Sequence, residues 1–283
     1  MSEFERLRVV ITYEFLKHIR RRRLYIIMGI ALLAEALVLI LVPTLMTGGF
    51  PKDQVIGGMV LKGVMVMAMI LTFGASLGAL GAVFFAGDAI AGEFESKTGF
   101  ILFTNPIRKT TLWTGKYLAG LLAVTLLLIF TYLVMAVALA IIYHEVPVQI
   151  LGSFGLCALY AAAVLSLTFL FSAISKGSMG ATVMTLLFIW VLSSIVEVIL
   201  AATSNPNWFM ISAAANSVTL PYGSIGDLIQ GLGIGGGGGG GPFGGDIGRF
   251  GTLTIPMAIW GMLIYIIGGF VASIWISRRR QLA

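Results

Sequence analysis

Six long apolar stretches decide what this chain can fold into. They run roughly Leu24–Met46, Val60–Ala86, Leu112–Ile142, Ile150–Ala173, Gly180–Ala202 and Ile255–Ile276. Each is long enough for a helix to cross a hydrocarbon core about 30 Å thick, which takes about 20 residues. Lipid offers no partner for backbone N–H and C=O groups, so such stretches span as helices. The rest of the composition agrees. Charged residues are 11% of the 283-residue chain and mean hydropathy is +1.01, where a soluble domain carries about 25% charge. The expectation is an all-α membrane protein with six transmembrane helices. The first stretch is too long, too basic in its flank and without a small-residue cleavage site to be a signal peptide, so it reads as a retained helix.

Lysine and arginine set the orientation. Fifteen lie in the N-terminal segment, the second and fourth inter-helix loops and the C-terminal tail; Lys52, Lys62 and Arg249 lie on the other side. Positive charge collects on the cytoplasmic side. Both termini are therefore expected in the cytoplasm, which an even number of spans satisfies, in a multi-pass protein of the cell membrane. Before the first span, Phe4, Leu7, Ile11, Phe15 and Ile19 recur at helical spacing among basic residues. This predicts an amphipathic helix over 1–23 lying in the cytoplasmic interface.

Several chemistries are excluded or disfavoured. Cys157 is a lone cysteine in an apolar run, and His18 and His144 lie in different loops, so neither a disulfide framework nor a metal cluster is expected. Gly74–Gly78 matches a nucleophile-elbow pattern, but mid-helix and with no histidine base beside it. Gly74, Gly78 and Ala82 instead suit close helix packing. Met59, Met65, Met67 and Met69 read as apolar filler rather than a copper path. No nucleic-acid-binding module is present. The chain contains no Gly-x-x-x-x-Gly-Lys-Ser/Thr loop for ATP. Twelve of the 18 residues in Gly231–Gly248 are glycine, which reads as a flexible linker in an external segment over 203–254. Within that segment Trp208–Leu220 suits a short helix or re-entrant piece. Energy for uphill movement would have to come from another subunit, with no cofactor bound by this chain.

Two acids fall within spans. Glu35 lies near the middle of the first and Glu197 in the outer third of the fifth. Intramembrane carboxylates are costly and mark functional candidates, so both are candidates to line a translocation path.

The second loop, 87–111, gathers unusual charge. Glu93 and Lys97 form an i, i+4 pair in the order that supports a helix. Pro106 breaks what precedes it, and Thr110 or Thr111 can cap the third span. The pattern is a short helix, a break and a new helix. Gly92, Glu93, Glu95 and Thr98, then Pro106 and Ile107, then Gly115, Lys116, Tyr117 and Leu118 resemble the loop signature of ABC-2 type transporter permeases. Lys97, Gly99 and Lys109 depart from the usual pattern. The resemblance extends to the layout of the whole chain and implies a single transmembrane domain over 1–283. It further implies a permease, an exporter by expectation, paired with a second copy or a paralogue. A cytoplasmic ABC ATPase would bind ATP and Mg, and a coupling helix around Glu93, Phe94, Glu95, Lys97 and Thr98 would receive it. A non-transporting anchor for an ATPase, and an unrelated channel or carrier, are the alternatives. Membrane lipids are the remaining partner; no nucleic acid is implied.

Overall fold

The structure is a computed structural model that describes residues 3–45, 49–56, 59–96, 108–203, 205–223 and 254–279. Helix α1 (Glu3–Arg20) bends at Arg21 into α2 (Arg22–Leu45). A two-strand hairpin follows, β1 (Gln54–Ile56) antiparallel to β2 (Met59–Leu61), with Val55 opposite Val60. Next come α3 (Gly63–Ala86), α4 (Ala91–Glu95), α5 (Lys109–Tyr143) and α6 (Gln149–Ile174). Helix α7 (Ser178–Leu187) passes through one π-helical turn, Phe188–Leu192, into α8 (Ser193–Ala202). A short α9 (Ile211–Ser217), a 3₁₀ turn at Leu220–Tyr222 and α10 (Ile255–Arg279) complete the described chain.

Five helical segments are long and apolar enough to cross a membrane: Arg22–Thr44, Lys109–Tyr143, Gln149–Ile174, Ser178–Leu200 and Ile255–Ser277. Helix α3 has 24 residues, a rise of about 36 Å, and Gly63–Thr72 is apolar. The hairpin takes Val60 and Leu61 out of the predicted second span. Its exit is tied down: Asp53 Oδ1 accepts the Gly63 N–H at 2.8 Å, satisfying a donor of the first turn of α3, and Tyr143 donates to Pro51 O at 2.9 Å. Trp208–Leu220 contains α9, packed on α6, α8 and α10.

Helix α6 is the axis. It packs on α3, α5, α7 and α10, and Ala161, Ala163, Ser166, Thr168 and Ser172 along it are fully buried. Small side chains let neighbouring backbones approach. At Gly269 of α10 an added Cβ would sit 3.0 Å from the Ser166 carbonyl, and at Gly81 of α3 one would sit 2.6 Å from Leu127 of α5. Buried hydroxyls pair across these contacts, Tyr117 with Ser166 and Tyr132 with Ser153, each at 2.9 Å, because apolar surroundings offer them no water.

Helix α5 is the longest element at 35 residues, about 52 Å, so about 20 Å of it exceeds a hydrocarbon core. Its N-terminal turns carry Lys109 and Lys116, and α1 lies along them. Most of the predicted apolar stripe of α1 is spent there. Leu7, Ile11, Phe15 and Ile19 are half-buried, and Val10, Phe15 and Ile19 pack on the core, while Phe4 is exposed. The face turned outward carries Val9, Tyr13 and Leu16 instead.

Candidate functional site

The site forms where α1, α4 and the start of α5 meet. Helix α4 has only five residues, too few to hold itself in place by its own hydrogen bonds. Ser172 of α6 holds it. Its Oγ accepts the N–H groups of Ile90 (3.2 Å) and Ala91 (2.9 Å) and donates to Gly87 O (2.9 Å). Ser172 is fully buried, so this hydroxyl takes the place of a capping side chain for a helix start closed off from solvent.

Helix α1 reaches the same place because of Gly115. A Cβ there would fall 2.5 Å from Val10 Cγ1, so the glycine lets α1 lie directly on α5. The next residue, Lys116, is 3% exposed. Its ammonium donates to Glu93 Oε1 at 2.5 Å and lies 3.4 Å from Glu14 Oε1. Lys17 lies 3.2 Å from Glu14 Oε2 and 4.0 Å from Glu93 Oε1. Four charges of alternating sign thus close into a ring, Glu93–Lys116–Glu14–Lys17, which joins α4, α5 and α1. A buried charge is tolerated only when paired in this way. The Trp113 ring adds a face 5.9 Å from the Lys116 ammonium.

A second charge group adjoins the ring. Asp88 accepts from Arg21 and, at 3.1 Å, from Arg23. These bonds tie the bend between α1 and α2 to the end of α3. Beside them His18 packs edge-on to Phe85, ring centroids 5.4 Å apart. Burial pushes its pKa down to about 4, against the opposing pull of the Asp88 and Glu14 charges. A cleft of about 710 Å³ opens at this end, lined by Glu14, Lys17, Arg21, Asp88, Glu93 and Glu95 among others.

The predicted coupling residues separate. Glu93 points inward to the ring. Phe94 is half-buried and packs on the core. Glu95 is exposed and accepts the Ser178 N–H at 2.9 Å and its hydroxyl at 2.8 Å, which caps the start of α7. Those two hydrogen bonds, the backbone one first, lower its pKa. Lys97, Thr98, Pro106 and Ile107 lie outside the described residues. Glu14, Lys17, Asp88, Ser172 and Ser178 were not singled out from sequence. Glu14 and Lys17 at i, i+3 carried a weak signal; the serines carried none, since a hydroxyl in an apolar run is legible only by what it touches.

The two intramembrane acids sit apart. Glu35 is on α2, which packs on α3 and α5; it is 1% exposed, and neither carboxyl oxygen has a hydrogen-bond partner among the described residues. Glu197 is on α8, half-buried, and accepts from Asn207 Nδ2 at 3.5 Å.

The elements that build this site fall inside a family match. The family model described as ABC-2 family transporter protein matches residues 8–212, well over half of the chain. No curated protein matches the chain. With its membrane-length apolar helices and its Gly92–Glu93 and Gly115–Lys116 elements interlocked at one end of the bundle, the chain belongs to the ABC-2 transporter family and is a membrane permease of that type.

Proposed function

We propose that this permease is the membrane half of an ABC exporter, driven from the cytoplasm by a separate ATPase that binds ATP and Mg. Six spans, with α3 as the second, put both termini in the cytoplasm, in keeping with the lysine and arginine bias. Two copies, or this chain and a paralogue, enclose the path, with Glu35 and Glu197 as its candidate polar residues. Helix α4 and the loop through Lys97 and Thr98 receive the ATPase.

The charge ring carries this reading. A five-residue helix tied to α1 and α5 by Lys116, and to α6 by Ser172, cannot shift without shifting spanning helices. Work enters the cycle only if ATP favours one arrangement of those helices over the other. Glu95, exposed at the end of α4 and lining the same cleft as the ring, is the part of that helix a partner reaches.

The test is co-purification of the full chain with a cytoplasmic ATPase, followed by ATP hydrolysis and solute movement in proteoliposomes. The expected result is a stable complex that moves solute on ATP. In a Glu93→Lys, Glu95→Lys variant, hydrolysis is uncoupled from movement. A chain recovered with no ATPase refutes the reading. A complex that hydrolyses ATP but moves nothing makes the chain an anchor for an ATPase instead.

A further inference from the structure

The four consecutive arginines Arg20–Arg23 divide by parity. Arg21 and Arg23 turn to Asp88. Arg20 and Arg22 are exposed and form no ion pair among the described residues. Each stands at the end of an exposed apolar line. On α1, Val9, Tyr13, Leu16 and Arg20 follow at i, i+4, i+7 and i+11, one face of a helix. On α2, Arg22 heads the line Ile26, Ile30, Leu33, Leu37 and Ile40, all exposed. Arg20 ends one helix and Arg22 starts the next, on either side of the bend at Arg21. The helix they lead into is long and apolar enough to span.

That geometry says what covers the bend. Ile26 is one turn, about 6 Å, along α2 from Arg22, so the guanidinium stands at headgroup depth once the apolar line is in hydrocarbon. Arginine there reaches phosphate oxygens with a planar fork of donors. Tyr13 and Tyr25, both exposed, are the amphipathic residues that settle at the same depth. Glu5, on the same side of α1, is about 22 Å from Arg20 along the helix.

We propose that Arg20 and Arg22 form a binding site for the headgroup of an anionic phospholipid at the bend between α1 and α2. Asp88 sets the pair apart: it engages Arg21 and Arg23 in ion pairs and leaves the charges of Arg20 and Arg22 uncommitted among the described residues. The proposal is independent of any ATPase docking at α4.

The experiment is native mass spectrometry of the purified full-length chain titrated with phosphatidylglycerol or with phosphatidylcholine. An arginine at an anionic surface contributes roughly a five-fold preference. With two arginines, phosphatidylglycerol should therefore bind about 25-fold more tightly than phosphatidylcholine. The Arg20→Gln, Arg22→Gln variant should lose that preference, and Arg20→Lys, Arg22→Lys should keep most of it. Equal binding of the two lipids by the unaltered chain overturns the proposal. So does a preference that survives the double glutamine change. A glutamine variant that turns dimer into monomer with lipid binding unchanged also overturns it, and assigns the face to a second copy.

Discussion

Lys116→Met removes the ammonium at the centre of the charge ring and keeps the aliphatic stem. Glu93 and Glu14 are then left facing each other with Lys17 alone between them, 3.2 Å from Glu14 but 4.0 Å from Glu93. At an effective dielectric constant near 20, the Lys116–Glu93 attraction at 2.5 Å is about 7 kcal/mol, and much of it is offset by the desolvation that burial costs. Removing one partner of a buried pair costs about 3–5 kcal/mol; Lys17 keeps this case near the lower figure. In a protein of this size about 3 kcal/mol corresponds to roughly 6–12 °C in melting temperature. The assay is thermal unfolding of the full-length chain in detergent, read by fluorescence size exclusion. The companion variant Lys116→Met, Glu93→Gln removes both charges and should recover most of the loss, since the penalty comes from the stranded carboxylate. Glu93→Gln alone leaves Lys116 on Glu14 and should cost less than Lys116→Met. A Lys116→Met protein melting within a degree of the parent would refute a ring that holds the three helices together. So would a double variant no more stable than Lys116→Met itself.

Ser172→Ala strands two buried N–H donors at Ile90 and Ala91 and should cost about 2 kcal/mol, with faster amide exchange confined to 87–95 in hydrogen–deuterium exchange. His18 is held neutral in the fold, with a pKa near 4 against an ordinary 6.5. The unfolded chain therefore binds the extra proton between those values. His18 thus favours the fold fully above about pH 6.5, and stability falls as the pH drops from there toward 4, by up to about 3 kcal/mol. His18→Phe should flatten that part of a melting-temperature profile. Glu35→Gln should lower transport in vesicles while leaving assembly and yield intact; transport at the parental rate would remove Glu35 from the path.

Much of this protein is determined by sequence alone. Long apolar runs must be helices in lipid, because no other local structure satisfies their backbone there, so the membrane-length helices were legible at once. The same holds for the second loop, where Gly92–Glu93 and Gly115–Lys116 stood out as charge and glycine in an apolar chain. The tertiary structure decided what those residues touch. Periodicity marked Leu7, Ile11, Phe15 and Ile19 as one apolar face, but lipid and a neighbouring helix are both apolar, and the same pattern serves either. Contact with α5, permitted by the missing Cβ at Gly115, turned that face inward and left Val9, Tyr13 and Leu16 outside. Glu93 read as a residue for a partner. Lys116, 23 positions away, and Glu14, on a helix about a hundred positions from Lys116, made it part of the interior. A charge shows its sign in the sequence; whether it is spent within the fold depends on which opposite charge the packing delivers to it.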